Sequence, residues 1–436
     1  MRIIALLLAM LMLCSCSGEL HFGVNELLIP PRLTAEQSAI YDAIELAVGT
    51  DAFKLKYPRR GTNLSACVFD DLDKDGTLEA IVFYELTVNG VTSNWMSVLT
   101  QNNGVWQCRH QMPGEGGEID FIDFASIEDN ARDNIIVGWS VAGQENLRCK
   151  VYSYIDGSTS VSYEGDYNEI LIQDIDGNEL CELLLCTKNL TKPAVMSLVK
   201  YRSGRIVRTS EVDMPASMTD YEKLTFGKLT PGLSAIFADI YIGPEEMTTR
   251  IAAVDTQKSV IEAINYEDLG IFESFDRTTP TSVCDDVNGD GLTDIPVSYL
   301  MPGYEDSQES EAIYQTEYMS VLNGELQSVL CQAVNYAAGY SFKLPDSWKN
   351  AVTVKRQTDN GEWRFVIYNS SLHESDVELL RIKVVSPSDY QDKFETSQYK
   401  TIAQKGVNSY QIYIPEGKYP GYSISYEKAE ELFKLL

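Results

Sequence analysis

The stretch Ser282–Ser298, SVCDDVNGDGLTDIPVS, decides how the rest of the chain is read. It sets Asp286, Asn288 and Asp290 at alternate positions, then Gly291 and Asp294, between two short apolar runs. Calcium takes about six to eight hard oxygen ligands, and side-chain oxygens at positions 1, 3 and 5 of a tight loop supply several of them. The backbone carbonyl of Leu292, at position 7, is a further candidate, and Gly291 permits the sharp turn. A helix-loop-helix calcium site carries its last acid at position 12 and a helix after it. Here the acid falls at position 9, and Ile295-Pro296-Val297 reads as strand. The expectation is a calcium loop between two strands.

The pattern recurs. An earlier stretch gives Asp71, Asp73, Asp75, Gly76 and Glu79, with Thr77 at the carbonyl position. Another gives Asp174, Asp176, Asn178 and Glu182, with Leu180 at the carbonyl position and Glu179 in place of the glycine. In the same register a further segment reads Ser126, Glu128, Asn130, Ala131 and Asn134, which predicts little or no binding. Another carries Lys228 and Thr230 at the first ligand places and has lost the site. An isolated acidic turn is usually a solvated loop; repetition at matching places points to Ca2+. Its expected role is structural, because the protein itself fills the coordination shell.

These loops belong to a repeat of roughly 50 residues running from Asn63 to Ala333. Each unit reads as a strand, a turn or acidic loop, an apolar second strand, a third strand and a hairpin into a fourth. The hairpins fall at Asn103-Gly104, Asp156-Gly157, Ser203-Gly204 and Asn323-Gly324; Asn-Gly and Asp-Gly suit type I′ turns. The fourth unit, with Gln257-Lys258 there, is the least regular. Four strands at this period predict a mainly β fold: a β-propeller of about five four-stranded blades, with an array of β-sandwich modules as the alternative. Ahead of it, Thr34-Ala-Glu-Gln37 reads as a capping box opening an amphipathic helix over Ala35–Val48. Beyond Asn335 the acidic loops stop, and a small α+β domain is expected, with a short helix over Ser388–Phe394 and a last one over Ser425–Leu436. The domain reading is 1–16 signal segment, 17–62 tether and helix, 63–333 propeller, and 334–436 C-terminal domain.

Residues 1–16 place one arginine before an apolar run from Ile3 to Leu13 that is too short to span a bilayer. The run ends in Leu13-Cys14-Ser15-Cys16, which resembles the bacterial lipobox, with Cys16 as the lipidated residue. The expectation is an exported chain held by lipid on the outer face of the cytoplasmic membrane. Acids outnumber bases 64 to 35, for a net charge of −29, which argues against nucleic acid as a partner. Seven cysteines outside the signal segment, with no CxxC, point to buried free thiols rather than a disulfide framework. GxSxG, HExxH and phosphate-cradling glycine loops are all missing, and three histidines lie far apart in sequence. The remaining catalytic option is a carboxylate pair, for which Glu115, Glu118, Asp120 and Asp123 form the best acidic cluster outside the calcium loops. The residues favour a non-enzymatic binding or scaffold module for an extracellular protein or glycan; the alternative is a carbohydrate-active enzyme, of glycosidase or lyase type, using carboxylates in the propeller channel.

DDVNGDGLTD at 285–294, DDLDKDGTLE at 70–79 and QDIDGNELCE at 173–182 resemble the FG-GAP and VCBS repeats of integrin-type propellers. The resemblance covers roughly 270 residues; it implies a calcium-stapled propeller in extracellular recognition and names no ligand. The layout as a whole, with its lipobox, PPRLTAEQ at 30–37, LDKDGTLEAIVFY at 72–84 and GYSFKLPDSW at 339–348, resembles a group of uncharacterised lipoproteins of Gram-positive bacteria. GYSFKLPDSW at 339–348 resembles the opening of PsbP-like domains.

Overall fold

The computed structural model describes residues 34–49, 53–244, 246–264, 266, 274–278, 282–305, 307, 312–357, 362–386 and 398–436. The signal segment with Cys16, most of the tether and the helix expected over 388–394 lie outside the described residues.

The fold is mainly β. Helix α1 (Ala35–Val48) opens on the capping box: Gln37 N donates to Thr34 Oγ1, and Thr34 N donates to Gln37 Oε1. It closes on Gly49 in the left-handed region (φ 75°), where a side chain would be strained. Ile40 and Ile44 are its buried stripe.

Four antiparallel sheets follow, each a meander in chain order. The first holds β2 (Cys67–Asp70), β3 (Glu79–Val88), β4 (Val91–Asn102) and β5 (Val105–Pro113), with β1 (Phe53–Leu55) continuing the line of β2 along β3. The second holds β6 (Ile119–Ala125), β7 (Asn134–Ser140), β8 (Leu147–Ile155) and β9 (Ser158–Tyr167). The third holds β10 (Glu169–Gln173), β11 (Glu182–Cys186), β12 (Val195–Arg202) and β13 (Arg205–Asp213). The fourth holds β14 (Asp220–Thr230), β15 (Leu233–Tyr241), β16 (Met247–Asp255) and β17 (Val260–Ala263). The expected hairpins have two consecutive positive φ angles, as at Asn103-Gly104 (51° and 79°), which is the type I′ signature.

The fifth sheet departs from the pattern. Its first strand is reduced to a single bridge, Asp285 to Asp294, before β18 (Ile295–Leu300), β19 (Tyr314–Leu322) and β20 (Glu325–Asn335). Beyond them come β21 (Tyr340–Lys343) and β27 (Phe433–Leu435), so the sheet continues across position 334 and ends on the last residues of the chain. The last helix, α2 (Tyr426–Leu432), is therefore shorter than expected. Residues 433–435 satisfy the open edge of β21, and Phe433 stacks on Tyr340 at 5.4 Å between centroids. A sixth sheet, β22 (Val352–Arg356), β23 (Trp363–Ile367), β24 (Glu378–Val385), β26 (Asn408–Tyr413) and β25 (Lys400–Lys405), packs with β21, Trp348 and α2 around one core.

Side chains of the second strands alternate between neighbours. Ile81 and Phe83 of β3 face the second sheet at Ile135, Val137 and Trp139. Ala80, Val82 and Tyr84 meet Ile40 and Ile44 of α1. In β11, Leu183 and Leu185 pack with the second sheet, while Leu184 and Cys186 pack with the fourth. In β15, Ile236 and Ala238 face the third sheet, and Ala235 and Phe237 the fifth. The buried clusters thus join sheets in chain order. None of the six joins the first sheet to the fifth among the described residues; α1 takes the outer face of the first. The seven described cysteines are unpaired thiols, five of them buried.

Ile44 is fully buried between α1 and β3. Ile44→Ala should lower the stability read from urea denaturation by about 2–4 kcal/mol, the usual cost of such a truncation. An unchanged midpoint would mean the helix does not cover this sheet in solution.

Candidate metal centre

The acidic loops join the first and second strands of their sheets, and three of them share one hydrogen-bond pattern. In the first loop, the Asp71 carboxylate accepts from Asp75 N (3.0 Å) and Gly76 N (2.9 Å), and Asp75 Oδ1 accepts from Thr77 N (2.7 Å). Glu79 Oε2 closes the loop by accepting from Leu72 N (3.0 Å). In the third, Asp174 accepts from Gly177, Asn178 and Glu179, Asn178 Oδ1 from Leu180 N, and Glu182 Oε2 from Ile175 N. In the fifth, Asp286 accepts from Gly289, Asp290 and Gly291, Asp290 Oδ1 from Leu292 N, and Asp294 Oδ2 from Val287 N.

This wrapping requires left-handed backbone at positions 4 and 6: Lys74 and Gly76 (56° and 90°), Gly177 and Glu179 (78° and 70°), Gly289 and Gly291 (79° and 83°). Glu179 adopts the turn without glycine, at a cost of roughly 1 kcal/mol. Positions 2 are apolar plugs: Leu72, Ile127 and Ile175 are buried.

The first and third loops each gather three carboxylates, with one oxygen of each within 4.8 Å of the others. The sets are Asp71, Asp73 and Glu79, and Asp174, Asp176 and Glu182. Hard oxygens at this spacing and charge could hold a metal ion. In the fifth loop, position 3 is Asn288, whose Nδ2 donates to Asp290 Oδ2 (3.0 Å) and whose Oδ1 accepts from Asp290 N (2.9 Å). Three carboxylates are not gathered there as they are in the other two. Thr77, Leu180 and Leu292 bond through their N–H groups to the position-5 side chain.

Position 9 is the buried end of each site. Burial pushes the Glu79 and Glu182 carboxyls up to about 7, against the pull of the backbone N–H each accepts, and it raises Asp294 as well. Asp294 is also bonded by the Ser320 hydroxyl. Asn134 takes this place in the second loop and accepts from Ile127 N and Glu128 N. In the fourth sheet Thr230 pairs directly with Leu233, so a tight hairpin at Pro231-Gly232 replaces the loop.

The loops also sit on seams between sheets. Asp133 N of the second unit donates to Leu72 O of the first (2.9 Å), and Cys181 N of the third to Ser126 O of the second (2.7 Å). Thr293 N of the fifth donates to Lys228 O of the fourth (2.8 Å). Partners of the third and fifth loops that the spacing does not show are Lys200 and Ser320. Both lie on third strands, and only the cross-strand register brings them to position 9.

The acids considered for catalysis are engaged elsewhere. Glu115 pairs with Lys150, Glu118 with Lys56 (3.0 Å), and Asp120 with Arg60 (2.8 Å) and the Tyr167 hydroxyl (2.6 Å). Asp123 accepts from Phe124 N (2.9 Å). Trp139 is wholly buried. At the end of the sheets away from the acidic loops, a polar groove of about 660 Å³ opens between the second and third sheets. Arg148, Asp166, Lys188, Lys192 and Arg208 are among its lining residues. No protein-family model matches the chain, and no curated protein matches it.

Because Glu79 and Glu182 hold protons more tightly folded than unfolded, the stability their protonation brings is present below about pH 4.5 and lost as pH rises through about 7. In chelator, the thermal midpoint should fall between pH 5 and pH 8 (roughly), and Glu79→Gln should flatten that fall. An identical slope in the variant would show that Glu79 does not titrate in this range.

Proposed function

We propose that this chain is a cell-surface lipoprotein whose repeated sheets are the blades of a calcium-stiffened β-propeller, acting as a non-enzymatic binding module for an extracellular protein or glycan. The observation that carries the reading is the repetition of one acidic loop, with one hydrogen-bond pattern, at seams where neighbouring sheets bond to each other. An ion held there would stiffen a loop whose neighbouring backbone bonds to the next sheet, which is a structural role. The resemblance to FG-GAP and VCBS repeats supports both the ion and the blade arrangement. In such a ring α1 covers the first blade on the face away from the second. The groove between the second and third sheets supplies polar and charged side chains suited to a glycan or a peptide. The engagement of Glu115, Glu118 and Asp120 in ion pairs weighs against the carbohydrate-active alternative. Lipidation at Cys16 would leave these surfaces outside the cell.

Thermal unfolding in calcium against excess chelator tests the ion. A site with a dissociation constant of about 0.1 mM, at about 1 mM calcium, adds roughly 1.4 kcal/mol. The midpoint should rise by several degrees, and Asp71→Ala and Asp286→Ala should each remove part of the rise. A midpoint indifferent to calcium would refute the reading. For the anchor, Cys16→Ser should move the protein from the membrane fraction to the soluble one; retention in the membrane fraction would rule out this lipidation site.

A further inference from the structure

The loops differ in what faces their acids. Lys200 leaves β12 one residue beyond the Leu183–Val199 pair and enters the third loop. Its Nζ lies 2.8 Å from Asp176 Oδ2 and 3.8 Å from Glu182 Oε1. The three side chains are 14, 8 and 2% exposed, so the ammonium is held inside the loop rather than over it. The same place holds Thr100 in the first sheet, beyond the Ala80–Leu99 pair, Ser153 in the second, beyond Ile135–Tyr152, and Ser320 in the fifth, beyond Ile295–Met319. A second lysine, 39% exposed, answers the second loop from its rim. Lys74 reaches across from the first loop, with its Nζ 2.7 Å from Ser126 Oγ, 3.1 Å from Asn130 O and 3.1 Å from Asp133 Oδ1. Among the described residues, the ligand acids of the first and fifth loops have no lysine or arginine nitrogen within ion-pair distance.

We propose that Lys200 is the resident cation of the third loop, and Lys74 that of the second, so that calcium is left to the first and fifth loops alone. This rests on the calcium reading above. An ammonium is a compact point charge that can occupy the centre of an oxygen cage. A dication brought within a few ångströms of it is repelled, and Asp176, one of the carboxylates it needs, is already paired. The third loop thus keeps the shape of an ion site while supplying the ion from its own sheet, independent of calcium outside the cell.

The test uses the full chain, radioactive calcium in equilibrium dialysis, and thermal unfolding in chelator. The wild type should bind about two ions, and Lys200→Thr, which copies the first sheet, about three. Lys74→Met should stay at about two, because Ser126 and Asn134 stand where carboxylates are needed, but should lower the midpoint in chelator; no loss would overturn the role given to Lys74. In chelator, Lys200→Thr should lower the midpoint, Asp176→Asn in the same chain should recover part of the loss, and calcium should restore it. Three ions in the wild type, with no gain in Lys200→Thr, would overturn the proposal and leave the calcium reading intact. No binding by any variant would refute the calcium reading. The chelator midpoints then decide separately: a loss relieved by Asp176→Asn upholds Lys200 as the loop's cation, and no loss overturns it.

Discussion

The structure depends on second strands that have no polar face. β3, β7, β11 and β15 are buried along most of their length, with alternate side chains on opposite sides. Each such strand needs an apolar neighbour on both faces, because burying a large aliphatic side chain is worth about 1.5–3 kcal/mol and leaving it wet forfeits that. One sheet cannot meet the demand, so the sheets must stack in series. The two ends of the series are then the problem: α1 covers the first, and the C-terminal sheet with α2 packs against the outer strands of the fifth.

Stacking in turn sets what the loops do. A loop between first and second strands lies at the edge of its sheet, where the neighbouring unit's backbone can reach it. The inter-sheet bonds at Leu72, Ser126 and Lys228 use that proximity. Concentrating negative charge there is unfavourable unless something positive answers it. The second and third loops answer with lysines from within the chain, whereas the first and fifth carry acids that no described basic side chain meets. One backbone shape therefore serves with different sources of charge, and the turn survives even where Glu179 replaces glycine.

Much of this was legible in the sequence because it is local. The loop spacing, the Asn-Gly and Asp-Gly hairpins and the apolar second strands are set within about a dozen residues, and the structure places each near its expected position. The capping box at Thr34–Gln37 is local in the same way. Less legible was what depends on partners far away. Phe433–Leu435 reads as a helix end until β21, about ninety residues earlier, offers it an edge. The fifth loop has the most regular spelling, yet the first and third gather three carboxylates, since Asn288 replaces an acid.

Residue order alone is enough for a mainly β chain of repeated strand-loop-strand units, for the positions of its oxygen-bearing loops and for the helix that precedes them. Packing settles which face of the first sheet that helix covers, that Phe433–Leu435 complete the fifth sheet, and that Lys200 and Lys74 reach two of the loops. Periodicity and turn chemistry act between neighbours in the chain. Counter-charge and edge pairing act between neighbours in space, and these are fixed only when sheets pack and strands find their register.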